Sequence, residues 1–193
     1  MANKKQKKII KEKKVTYQDA TLSRRFISYL IDWYVGALAT ALPISMIAKK
    51  LTGTMLNQNI MEFEAPYGLI GGVLGLICAF IYFVIVPLKD GQGQTLGKRI
   101  CKIRIVKDND ENVELKTLLL RQVLGLIIVE GSLVSASAIW HQIATMLTGF
   151  NFVAPLMYIG IVVTGVSALL VAFKKDHRAI HDYIGKTKVV MCD

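Results

Sequence analysis

The sequence predicts an all-α transmembrane fold: a four-helix membrane bundle with a small cytoplasmic β element, built from the loop between helices two and three and from the C-terminal tail. Three observations predict it. Lys and Arg outnumber Asp and Glu by 24 to 14, yet 53% of the 193 residues are hydrophobic, and the mean hydropathy is +0.43. The charges and the apolar residues lie in separate segments of the chain. Each long apolar segment is close to the ~20 residues that a helix needs to cross ~30 Å of hydrocarbon. A disordered chain has low hydrophobicity, and a nucleic-acid module stripes its basic residues over a folded polar face. The pattern fits neither, so no nucleic-acid partner is expected. The length suits one domain.

The first apolar run, residues 26–48, contains one charge, Asp32. About 25 residues precede it and an acid interrupts it, so it reads as a retained helix rather than a cleaved leader. The second run, 65–88, has no charge. The third, about 120–140, is the weakest of the four, because its 122–140 stretch holds Glu130. Were it not to span, the chain would cross three times and its ends would lie on opposite sides. The fourth run, 152–173, is free of charge.

Lys and Arg near the helix ends set the orientation. Nine lie in 1–25, eight in 89–121 and five in 174–193, against two in 49–64 and none in 141–151. The expected topology is therefore multi-pass in the cell (plasma) membrane. Both termini, the loop 89–119 and the tail 174–193 would be cytoplasmic. Cys78, Cys101 and Cys192 match neither a zinc site nor a disulfide framework, and are expected as unpaired thiols.

Two units are expected, a basic cytoplasmic arm over 1–22 and a membrane domain over 23–193. The arm has seven lysines in its first 14 residues. It reads either as a topology signal or as a tether to anionic lipid, at ~1 kcal/mol per lysine near the surface. In the second run, Gly68, Gly71, Gly72 and Gly75 form overlapping small-residue spacings, and Gly160, Thr164 and Ala168 do so in the fourth. Small residues let helix backbones approach closely in lipid. The glycines serve packing within the bundle or, on a sharper reading, a homodimer face.

The loop after the second run has its own pattern. Ile100, Ile103, Ile105 and Val106 suggest a short strand, and Asp108-Asn109-Asp110 a turn. Residues Gly185 to Val190 form a similar cassette in the tail, and the two are expected to pair. Several motifs nearly match and fail. Gly97-Lys98 lacks the glycine of a P-loop at Gln92 and the hydroxyl residue at Arg99, and GxGxxG fails at Leu96. No cofactor is expected. His177 and His181, with Asp176 and Asp182 beside them, would offer one helical face to a metal, but no HExxH pattern supports it and none is expected. No Ser or Cys nucleophile has a base nearby, so the chain does not read as an enzyme.

The intramembrane charges carry the functional argument. Asp32 follows Arg25 by seven residues, nearly two turns, so both leave one helix face ~10 Å apart along the axis. Arg25 can snorkel to the headgroups, whereas a bare carboxylate within a span costs ~2.5–3.5 kcal/mol. Asp32 should therefore face the bundle interior and find a partner, or be protonated. Arg121 and Arg25 are the candidates. Glu130 lies nine residues beyond Arg121, ~13 Å deeper. Two acids at different depths make either a proton or cation path, or a charge network that fixes helix order.

These residues resemble a family. Arg25-x-x-Ser28-x-x-Ile31-Asp32 is similar to the first signature of the RDD membrane proteins, named for one arginine and two aspartates. Gln94-Thr95-Leu96-Gly97-Lys98 resembles that family's loop motif. His181-Asp182, followed by Thr187 and Val189-Val190, resembles its C-terminal motif, with Asp182 as the second aspartate. Arg121 falls where the family often opens the next helix with an arginine. The pieces span residues 25 to 190. Ser28 departs from the usual alanine, and Gly185 comes one residue early, with Lys186 in the usual place of glycine. The resemblance implies either cation/proton antiport, described for some members, or an accessory role in a larger membrane assembly.

Arg25, Asp32, Arg121, His181 and Asp182 all fall at or just inside the cytoplasmic side. One polar cluster is expected there, with Asp182 within about 12 Å of Arg25 and Arg121, little beyond a Debye length. Two functions follow. The first is a small secondary transporter exchanging a monovalent cation for protons, with Asp32 as the titrating group and Glu130 as a second. The other is a non-transporting scaffold or regulatory subunit.

Overall fold

The computed structural model describes residues 17–89, 93–131 and 135–192. The lysine-rich stretch 1–14 and the start of the loop at 91–92 lie outside the described residues.

Helix α1 runs from Leu22 to Thr52. Its buried residues Ser28, Asp32, Gly36, Thr40, Ile44 and Ala48 recur every fourth position, which places them on one face. Gly53 ends it in a left-handed conformation, donating its N–H to the Lys49 carbonyl. A one-turn helix at Ile60–Glu62 then leads into α2, Tyr67–Leu88. The two long helices are antiparallel, since Gly36 meets Phe83, Thr40 meets Gly75 and Ile44 meets Gly71.

The small-residue stripe of α2 explains that approach. Gly68, Gly71, Gly72 and Gly75 are all buried. A Cβ on Gly75 would lie 2.9 Å from the Thr40 carbonyl oxygen, and one on Gly72 would lie 2.7 Å from Ile60 Cδ1. These four positions are therefore covered by the chain's own α1, the Ile60 turn and Met146 and Ile143 beyond. Near its end α2 widens into a π-helical turn over Ile81–Ile85, which turns Tyr82, Phe83 and Val84 inward.

Helix α3 (Leu96–Ile100) and strand β1 (Ile103–Lys107) follow. Ile100, expected in the strand, instead closes α3, because the Thr95 and Gly97 carbonyls accept from Arg99 and Cys101 N–H groups and keep the chain helical to that point. Helix α4 covers Leu115–Glu130, π-helical from Leu119. It is followed by α5 (Ser135–Thr148), α6 (Val153–Phe173), the short α7 (Ile180–Gly185) and β2 (Thr187–Met191). The strands pair antiparallel in the register Ile103↔Met191, Ile105↔Val189 and Lys107↔Thr187. Asp19 bridges to Val190 and Ala20 donates to the Val189 carbonyl, so the chain just before α1 joins the sheet.

The expected third helix over 120–140 is not one rod. It is the pair α4 and α5, whose axes meet at 67°. The break follows Glu130, where Gly131 takes φ 41° and donates to the Leu126 carbonyl. A side chain there would be strained, and glycine relieves it. Among the described residues three helices, α1, α2 and α6, are long and apolar enough to cross a membrane, and four crossings result if the bent pair is one span. Contacts show what the pair connects. Its start packs beside the sheet through Leu118, Val113 and Ile105. Gln142 of α5 accepts from the Ile60 N–H at the opposite end. The start of α1, both strands and the tail thus share one end of the bundle.

Candidate functional site

Among the described residues three carboxylates are buried at or near the sheet end, Asp32, Glu130 and Asp182. Burying a charge is costly unless it is paired and hydrogen-bonded, so their donors can be counted.

Asp32 receives four. Oδ1 accepts from the Tyr82 hydroxyl at 2.7 Å and the Gly97 N–H at 2.8 Å. Oδ2 accepts from the Thr95 hydroxyl at 2.5 Å and the Lys98 ammonium at 2.8 Å. Three of these donors come from one pentapeptide, Gln94-Thr95-Leu96-Gly97-Lys98. Thr95 is the N-cap of α3 but makes no side-chain cap bond of its own; Asp32 accepts the Gly97 amide in its place. Gly97 is required by the close approach, since a Cβ there would lie 2.8 Å from Asp32 Oδ1.

Asp182 sits on α7 with no exposure. Its Oδ1 accepts from Arg121 Nη2 at 2.6 Å and Nε at 3.1 Å. Its Oδ2 accepts from Arg25 Nη2 at 2.7 Å and from the Ala179 N–H at 3.1 Å, which ties down the start of α7. Arg25 also donates to the His177 carbonyl at 2.5 Å, and Arg121 to the Thr187 hydroxyl at 3.2 Å. Burial alone would raise the Asp182 pKa, but the Arg121 guanidinium, with His181 and Arg25, holds the carboxyl well below the usual carboxylate range.

Glu130 meets the other side of α7. Oε1 accepts from the His181 N–H and the Ser167 hydroxyl, each at 2.8 Å, and His181 Nδ1 lies 2.9 Å from Oε2. The Ser167 oxygen in turn accepts the Ile180 N–H at 2.9 Å. Helix α7 presses onto α4 through two glycines. A Cβ on Gly125 would fall 2.8 Å from His181 Cβ, and one on Gly185 would fall 2.7 Å from Arg121 Cβ.

Residues 20–186 match the RDD family. The chain belongs to the RDD family. Within it, the uncharacterized protein YckC of Bacillus subtilis (strain 168) is 29% identical over 173 residues, 90% of this chain and 85% of that protein. No solved structure matches the chain.

The RDD residues separate into two centres rather than one. Arg25, Arg121, His181 and Asp182 come together, and Glu130 joins them through His181. Asp32 does not. Its expected partners, Arg25 and Arg121, are both engaged by Asp182, while α3 folds back on α1 and supplies Lys98 instead. The ~10 Å between Arg25 and Asp32 along α1 is enough to direct one to the tail and the other to the loop. His177 and His181 do not share a helix, since His177 precedes α7 with φ 48°. Among the described residues no three His, Cys, Asp or Glu side chains are grouped as metal ligands.

Sequence reasoning missed Tyr82, Thr95, Lys98 and Ser167 as partners. One signal was available for α1: Ser28, Asp32, Gly36 and Thr40 at four-residue spacing mark its inward face and hence the direction of Asp32. Nothing in local pattern pointed to Tyr82 or Ser167, which lie 50 and 37 residues from the acids they serve.

Proposed function

We propose that this RDD protein acts as a non-enzymatic membrane scaffold or accessory subunit, presenting its sheet end to a partner protein. One observation carries the reading. Asp32 and Asp182 each accept four hydrogen bonds and Glu130 accepts two with His181 Nδ1 beside it, and each fastens a loop or tail helix to a long helix. Acids held so fully keep an assembly in one arrangement. The cavity bordered by Asn59, Gln142, Thr145 and Asn151 belongs to the opposite end, away from all three. The charge distribution along the chain supports a cytoplasmic sheet end in the plasma membrane. A photocrosslinker at exposed Lys186 should recover one defined protein from intact cells, and the purified chain in vesicles should carry no coupled flux. Flux that disappears in Asp32→Asn, with insertion unchanged, refutes it.

A second reading, cation/proton exchange, is favoured by the Asp32–Lys98 pair. The Lys98 ammonium lies 2.8 Å from Asp32 Oδ2 and 3.3 Å from the Thr95 hydroxyl. A monovalent cation would take the ammonium's position on those oxygens, and proton uptake would displace it. Vesicle flux in Lys98→Met separates the two readings, since a scaffold has none to lose.

A further inference from the structure

The short helix α3 has an inner face committed to Asp32 and an outer face that is not explained by it. Gly97 lies against the Ser28 carbonyl and the Asp32 carboxylate, so α3 is held beside the second and third turns of α1. That is ~9–15 Å along α1 from its first residue. The α1 residues at this level that face outward are apolar, with Phe26 62% and Leu30 44% exposed. On α3 itself Leu96 is 44% and Ile100 60% exposed. These surfaces continue the lipid-facing side of α1, so α3 lies along the membrane boundary rather than in water.

Three cations surround the same helix. Arg99 is exposed on α3, between Leu96 and Ile100. Lys102 is exposed just beyond its end, in a left-handed conformation that turns the chain toward β1. Arg24 reaches the same end, donating to the Cys101 carbonyl at 3.3 Å. None of the three has an ion-pair partner among the described residues, whereas neighbouring Lys98 and Arg25 are paired. Unpaired cations at the level where apolar side chains meet headgroups match an anionic phosphodiester.

We propose that Arg24, Arg99 and Lys102, with Leu96 and Ile100, form a binding site for the headgroup and upper acyl chain of an anionic phospholipid. The site is distinct from the lysine-rich arm and rests on neither functional reading above. Because the opposite face of α3 holds Asp32, the bound lipid also secures that lock.

The test uses the full-length chain in a zwitterionic detergent, titrated with short-chain phosphatidylglycerol and followed by its thermal midpoint. Phosphatidylglycerol should raise the midpoint, while phosphatidylcholine and inorganic phosphate should not. Each cation should be worth about fivefold in apparent affinity. Arg24→Gln/Arg99→Gln/Lys102→Gln should therefore weaken binding about 100-fold by that rule, with its lipid-free midpoint close to the parent's. Replacing the seven arm lysines by Gln should leave most of the affinity. The proposal is overturned if the triple variant binds like the parent, if the arm variant alone abolishes binding, or if inorganic phosphate stabilises as well as the lipid does.

Discussion

Asp182→Asn tests the tail lock most directly. In the parent, Oδ2 accepts from both Arg25 Nη2 and the Ala179 N–H, and Oδ1 accepts twice from Arg121. An asparagine amide must place its NH2 toward one of these donors, setting donor against donor. It also strands the Arg121 charge, whose side chain is only 3% exposed. Removing one partner of a buried pair costs ~3–5 kcal/mol. At ~2–4 °C per kcal/mol for a chain of this size, the midpoint should fall by roughly 10 °C. Thermal melts in detergent micelles, followed by circular dichroism, measure this. Asp182→Asn/Arg121→Gln should recover part of the loss, because the stranded charge is gone. A single-variant midpoint within about 2 °C of the parent, or a double variant that merely adds two losses, would refute the reasoning.

The same pair predicts a pH dependence. The folded carboxyl of Asp182 is depressed below its ordinary value of 3.8, so its contribution is complete above that value and is lost as pH falls toward the folded pKa. Stability should therefore decline below about pH 4, with a shallower slope in Asp182→Asn. Tyr82→Phe removes one of the four donors on Asp32 and should cost ~2 kcal/mol, as for a hydrogen bond to a charged group; an unchanged midpoint would count against the assignment. Gly97→Ala puts a methyl 2.8 Å from Asp32 Oδ1 and should detach α3, read as faster tryptic cleavage after Arg99. Gly185→Ala puts a methyl 2.7 Å from Arg121 Cβ and should cost ~1–3 kcal/mol by overpacking, visible as earlier proteolysis of the tail.

The local pattern of the chain determined a good deal. Apolar runs long enough for hydrocarbon, with Asp32 the one charge inside them, marked α1, α2 and α6 to within a few residues, because the lipid-facing side of a helix must be apolar along its length. The alternation around Ile103 and Ile105 and the cassette after Gly185 marked two strands, since a paired strand buries every second side chain. Arg25, Arg121 and Asp182 were legible as one group from the family motifs that carry them. What the tertiary structure alone decided was who pairs with whom. Asp32 is neutralised by Lys98, 66 residues away, because α3 folds back onto α1. Glu130 meets His181, 51 residues away, because Gly125 and Gly185 let α7 settle on α4. The turn at Gly131 that splits the third run was likewise invisible to an apolar count, which registers length but not direction. A carboxylate's need for a partner is written in its own position, but the choice of partner depends on which distant backbone comes within three ångströms, and that is settled only by packing.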